Sequence, residues 1–450
     1  MNALRRISTL SLCALVVGAF GTRSAQAIPA FAAQTGLPCS TCHIGFPQLT
    51  PFGRIFKMEA YDLGELNTPD AKNYAAMVQA GFTHLKDKVP GGMSSDYPSN
   101  NAWSIQQTSL FFGGVLDKNL GLGAFVQGTF DGVAHQFHWD NVDIRWHDDT
   151  RLFGDPLIYG VSFNNNPAVT DLWNTLPAWG YPYVPSGLAP GPTAGLQIAS
   201  LGQSVAGVGL YGALNLTSAD LAYAEFDLYK ALPNHTAYML GVGPEAPVDG
   251  VIPYWRLAYQ HNEGANSIEV GTSGLEDQLY PSGFSHGATD SMLDIGFDAQ
   301  FQHITPTQAL SLQLSYFHEY QHWGASYALG NTQNLNDGLD QESVTLSYLW
   351  HQMLGATESY TVTTGKGDTG LYNVSTANAN GKPNTASLTT ELDYYPFNQG
   401  GPAFLPWANA KIFVEDTYYP YFNGLAHNYD GAGRSASGND TVFTGIWLVF

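Results

Sequence analysis

Cysteine is nearly absent: the 450 residues hold three. Cys13 sits in an apolar N-terminal run, so the remainder of the chain has only Cys39 and Cys42. That excludes a disulfide-built scaffold, and a finger-type zinc site would need two further ligands at the right spacing. Charge is scarce as well, at 12% of residues, about half the usual share of a soluble domain. Lys and Arg number 17 against 38 Asp and Glu, for a formal charge of −21. A chain of that sign repels nucleic acid and attracts cations. Past the N-terminal run, no stretch approaches the ~18 consecutive apolar residues of a transmembrane helix. The sequence also has no phosphate-cradling P-loop, dinucleotide fingerprint or nucleophile elbow.

The abundant residues are apolar and aromatic: hydrophobic types make up 44% of the chain, with 25 Tyr, 24 Phe, 10 Trp and 49 Gly. Many apolar residues, few charges and no long apolar run fit strands with one face in lipid. Residues 1–27 read as a secretory signal, with Arg5 and Arg6, the run Leu10 to Phe20, and Ala25-Gln26-Ala27 as the cleavage site. Residues 28–101 read as a small leader region, closed by a Pro-, Gly- and Ser-rich linker from Lys86 to Asn101. From Ala102 to Phe450 the pattern has period two. Leu293, Ile295, Phe297, Ala299 and Phe301 share one face against Asp294, Gly296, Asp298 and Gln300. The design repeats in Leu310–Tyr316, Val344–Trp350 and Leu388–Tyr394, and in Val442, Thr444, Ile446, Leu448 and the terminal Phe450. A soluble sandwich also alternates, but about fifteen strand candidates exceed what one sandwich holds. Closed outer-membrane barrels have even strand numbers, so the expected fold is all-β. It is a transmembrane antiparallel barrel of about sixteen strands behind a small, mostly helical or irregular N-terminal segment.

Within that segment, Cys39-Ser40-Thr41-Cys42-His43 is a C-x-x-C-H run, the covalent attachment signature of a single c-type haem. The two thiols add across the haem vinyl groups and His43 supplies the proximal nitrogen. Thr50 followed by Pro51 predicts a helix N-terminus, and Phe52 to Tyr61 a short helix against the porphyrin. A sixth iron ligand is sought among Met58, Met77, His84 and Met93, with Met58 or His84 the leading candidates. His318-Glu319-Tyr320-Gln321-His322 matches the zinc-protease motif H-E-x-x-H, but it continues a strand where that chemistry needs a helix. His135, His138, Asp140, Asp143 and His147 are expected at the lumen or its mouth. Tyr159 to Tyr183 is expected as a polar–aromatic loop that either enters the lumen or rests on the haem segment.

The run Ile28 to His43, followed by Pro47-Gln48-Leu49-Thr50-Pro51-Phe52-Gly53-Arg54 and Phe56-Lys57, resembles the fused cytochrome–porins of the bacterial outer membrane. The loop Tyr159 to Tyr183 is similar to theirs as well. The resemblance implies a mono-haem cytochrome ahead of a barrel of about sixteen strands. It also implies oxidation of extracellular Fe(II), with the electron passed to a periplasmic carrier such as a cytochrome or copper protein. Two alternatives stand beside it: a haem conduit for another extracellular donor or acceptor, and a solute porin plugged or gated by the haem segment.

Overall fold

The computed structural model describes residues 29–62, 71–90, 92–239, 248–281, 284–373 and 378–450. The proposed signal, residues 1–27, lies outside them. Sixteen antiparallel strands close into one barrel in sequence order, and the first strand, β1 (Tyr74–Leu85), pairs with both β2 (Asn101–Asp117) and β16 (Thr441–Val449). Closure leaves no edge strand in the sheet, as a lipid-embedded sheet requires. β1 corrects the expected boundary. The barrel begins at Tyr74, not Ala102, and the segment from Lys86 to Asn101 is the β1–β2 connection running into β2 rather than a linker between domains. Ala75, Ala76, Ala80 and Gly81 dilute the apolar alternation of β1, which is why this strand alone escapes the pattern.

Alternation decides which face meets lipid. On β10 (Asp290–Ile304) the side chains of Leu293, Ile295, Phe297, Ala299 and Phe301 face outward, while Asp294, Asp298, Gln300 and Gln302 are buried in the lumen. Leu310, Leu312 and Leu314 on β11 (Gln308–His322) repeat this, as do Val344, Leu346 and Tyr348 on β12 (Asn336–Trp350) and Leu388 and Leu392 on β14 (Thr385–Tyr394). Large exposed aromatics lie toward both rims, with Tyr74 and Trp350 at one end and Trp103 and Trp139 at the other. An apolar outer band flanked by aromatic girdles is the surface of an outer-membrane barrel, and the chain is one.

Connections at one end are short, residues 118–121, 153–154, 216–219, 264–265, 305–307 and 351–353, apart from the longer 395–408. Those at the other end are mostly long, including 86–100, 165–204, 366–384 and 422–440. In such barrels the short turns are periplasmic and the long loops extracellular.

Two stretches fill the lumen. The N-terminal segment enters as α1 (Pro29–Thr35), α2 (Cys39–Cys42) and α3 (Pro51–Met58). Phe31 packs with Phe56, Tyr61 and Phe125, and Ile44 and Phe46 pack with Met77, Tyr395, Trp447 and Val449 near the short-turn end. From the other end, residues 165–204 fold inward around α4 (Pro167–Thr170) and α5 (Gln197–Ser200). The expected loop from Tyr159 therefore begins later, since Tyr159–Asn164 complete β5 (Asp155–Asn164). From Asn165 on, that loop does both things foreseen for it, entering the lumen and resting on the N-terminal segment.

Candidate functional site

α2 is a single turn that places Cys39 and Cys42 on one side and delivers His43 in extended conformation. Thr50 caps α3 through the Gly53 amide at 3.1 Å and donates from its hydroxyl to the Thr41 carbonyl at 2.6 Å, tying α3 to the C-x-x-C-H turn. Contact there is so close that a Cβ on Gly53 would sit 2.4 Å from the Cys42 carbonyl oxygen. Only glycine allows the two segments to meet.

Both thiols are buried and no disulfide joins them. Burial pushes each up to about 12, so neither is a ready thiolate. The His43 ring is enclosed, and its Nδ1 lies 3.0 Å from the Pro47 carbonyl. A carbonyl only accepts, so Nδ1 carries the proton and Nε2 keeps its lone pair, the arrangement that prepares a histidine for a metal. Burial holds this imidazole below its ordinary pKa and therefore neutral.

His43 opens on a cavity of about 480 Å³ between the N-terminal segment and the inward loop, within the ~300–1,000 Å³ range of cofactor sites. Phe31, Phe46, Tyr61, Met77 and Phe125 give it an apolar side. Asn166, Asn174, Trp179, Gln203 and Asp140 line the side toward the long loops. The cysteine sulfurs do not open on it directly; Cys39 packs behind Phe31 and Tyr61, which do. A neutral imidazole facing an aromatic chamber, with two unbridged thiols one turn away, is the residue set of a c-type haem site, with the sulfurs set behind the chamber wall rather than on it.

The sixth-ligand candidates fall apart on inspection. Met58 is wholly buried in a different cluster, with Leu172, Trp173, Tyr211 and Tyr223. His84 sits on the outward face of β1 near its long-loop end, its Nδ1 2.7 Å from Asn101 Oδ1. Neither lines the cavity. Met93 lies in the β1–β2 connection. Met77 does line the cavity, because inward positions of β1 alternate through Ala75, Met77 and Gln79.

The H-E-x-x-H run lies on β11. His318 and His322 face outward, hydrogen-bonded to Asp340 and Asn336, while Glu319 points inward. Four residues of strand separate the two rings by about 13 Å, and no metal-holding cluster of three His, Cys, Asp or Glu exists among the described residues. Of the other residues expected at the lumen, Asp143 is buried against Arg145 and accepts from Tyr61 at 2.6 Å. Asp140 accepts from Thr129 at 3.0 Å and Gln203 at 2.7 Å, and His135 is exposed.

Sequence reasoning missed the staples that hold the inward loop. Asp171 accepts from the amides of Trp173, Thr175 and Leu176 at 3.0, 2.8 and 3.0 Å. Arg256 joins Asp298, Glu269 and Thr175, and the guanidinium groups of Arg54 and Arg256 lie 5.9 and 5.2 Å from the centroid of the Trp173 ring. The signal available was the row of acids and glutamines on the inner face of β10, which needed partners from somewhere.

Fold and site thus define a bacterial outer-membrane β-barrel whose lumen holds its own N-terminal segment and one long loop. No family model matches the chain, and no curated protein matches it. Among solved structures it is similar to OmpF of Salmonella typhi in complex with daunomycin, at TM-score 0.47 and 12% identity over 84% of this chain and 96% of that one. It is also similar to an anion-selective porin from Comamonas acidovorans, at 0.45 and 11% over 84% and 98%. A loop-deletion mutant of OmpT from Vibrio cholerae follows at 0.44 and 10% over 84% and 97%. Likenesses this distant carry no weight; the barrel rests on its own strand pairing.

Proposed function

We propose that the protein is an electron-transfer barrel carrying one covalent c-type haem, and that it oxidises extracellular Fe(II) and passes the electron to a periplasmic carrier. The observation that supports this most is the His43 cavity, with a neutral imidazole, two adjacent thiols and an aromatic wall enclosed in a barrel. Cys39 and Cys42 would tether the haem and His43 Nε2 would bind its iron, which supplies one-electron exchange when bound. The chain's own work is placement. Pro47 fixes the His43 tautomer, Phe31, Phe46 and Phe125 exclude water, and the inward loop caps the chamber on the side from which an outside donor arrives. Asp140, the carboxylate on the cavity wall, gives that side the charge to meet a cation. Ferric iron is insoluble near neutral pH, so oxidation at the surface keeps precipitate outside. The test is stopped-flow mixing of the oxidised protein with Fe(II) from acidic to neutral pH. Rapid appearance of reduced haem bands, abolished by His43→Ala, is expected; a haem that dithionite reduces and Fe(II) does not would overturn iron as the donor.

A second reading has one observation in its favour. Sixteen strands is a number that leaves an aqueous channel in solute porins, so a porin gated by residues 29–62 is the competing account. A lumen filled by the N-terminal segment and the inward loop fits both readings, the barrel by itself favours the porin, and the C-x-x-C-H turn beside the cavity is what supports the haem.

A further inference from the structure

Four cationic side chains deep in the barrel have evident partners. Arg145 lies against Asp143, Arg256 against Asp298 and Glu269, and Lys411 against Glu391 and Asp393. Arg54 is held by the side-chain oxygens of Gln300 and Gln302 at 2.6 and 2.9 Å. Lys57 is the exception. It is 9% exposed, it lines the His43 cavity, and its ammonium donates to a single backbone carbonyl, that of Val169. Among the described residues no carboxylate comes within ion-pair distance of it, and Asp143, Asp171 and Glu225 act on it only from farther away.

An ammonium buried with no carboxylate in contact is costly, and an anion in contact with it offsets that cost. Anchoring the inward loop through Val169 does not explain the charge, since a neutral donor would serve. Asp140, on the same cavity wall, is already engaged by Thr129 and Gln203. Asp143 is likewise engaged by Arg145 and Tyr61, and Asp171 by the loop amides, which leaves the cavity that His43 faces as the place where an anion could contact the ammonium.

We propose that Lys57 holds a carboxylate of the cofactor bound at His43, a haem propionate. This rests on the haem reading above and adds a residue that anchors the ring edge and sets its electrostatics. A cation there disfavours the ferric state. Removing it should lower the midpoint potential and shift the ferric-to-ferrous ratio at fixed potential about tenfold, or 59 mV for one electron.

The experiment is spectroelectrochemical titration of full-length wild-type protein, Lys57→Met and Lys57→Arg, each first checked for covalent haem. Lys57→Met should titrate lower, and Lys57→Arg should keep the wild-type midpoint while moving the propionate bending band in resonance Raman. Should Lys57→Met fail to assemble, Lys57→Gln is titrated, and the Raman comparison with Lys57→Arg decides independently. Equal midpoints and an unmoved propionate band, with haem present, would overturn the Lys57 assignment alone. Inorganic phosphate that shifts the wild-type midpoint but not that of Lys57→Met would also overturn it, since the partner would then be a free anion. Wild-type protein that carries no covalent haem would overturn the underlying reading and this assignment together.

Discussion

Arg54→Ala tests whether the lumen is held shut from within. The guanidinium is 1% exposed and joins three parts of the molecule: its own helix α3, Gln300 and Gln302 on β10, and the ring of Trp173 on the inward loop at 5.9 Å. A hydrogen bond to a charged group contributes roughly 1.5–3 kcal/mol. The Leu49 carbonyl counts for little, because it also accepts from Gln302 at 3.0 Å. Removing the side chain leaves both glutamine oxygens buried and unpaired but relieves the desolvated charge, for a net loss of about 3–5 kcal/mol in plug attachment. The barrel itself keeps every strand pair. Wild-type protein in a planar bilayer should conduct little, and Arg54→Ala should conduct more while retaining barrel mobility on unheated gels. Wild-type conductance equal to that of an open sixteen-strand porin would refute the reasoning, as would an Arg54→Ala protein with unchanged conductance and unchanged protease resistance of residues 29–62.

Other expectations follow from single residues. Asp140→Asn should slow haem reduction by Fe(II) about tenfold or less while leaving reduction by a neutral quinol unchanged, and its deficit should shrink with added salt; equal slowing of both donors would assign Asp140 a structural role. Glu59, which ends α3, is raised to about 7 by burial and then by Asp149 and Asp62. A carboxyl with a raised folded pKa favours the fold below its unfolded value near 4.5 and disfavours it increasingly as pH rises toward 7. Glu59→Gln should therefore stabilise the segment by about 1–2 kcal/mol at pH 7 after allowing for partial exposure, and by little at pH 4, measured as denaturant midpoints in detergent.

The barrel was legible because lipid on one side and a polar lumen on the other impose alternation, which β10 carries without interruption. β16 keeps apolar Val442, Ile446 and Leu448 outward, but its inward Trp447 and Val449 are apolar too, because they pack on the N-terminal segment. β1 was not legible, because Ala76 and Ala80 stand on its outward face and Ala75 and Gly81 on its inward face, so neither face carries a strong apolar or polar signal. The glycines that make room for the N-terminal segment lie on β2 and on β3 (Leu122–Asp131), where a Cβ on Gly123 would fall 1.8 Å from the Ala60 carbonyl oxygen. Cys39, Cys42 and His43 stand out in the sequence as a C-x-x-C-H run, and the structure sets them on one turn with His43 at the cavity. The sixth-ligand candidates were not legible, since Met58 and His84 are near His43 in sequence while the cavity is closed by strands and a loop distant from it. Lys57 was visible only as one of a few basic residues; its burial without a partner is a property of the lumen, not of the local chain.

The most direct test of the account is the pyridine haemochrome spectrum of the purified full chain, made in a host that attaches c-type haem. The account predicts a c-type spectrum with a single haem per chain that survives acidic acetone extraction and is lost in the Cys39→Ser, Cys42→Ser double variant. A folded barrel that emerges without covalent haem from that host would contradict it, and the gated porin would take its place.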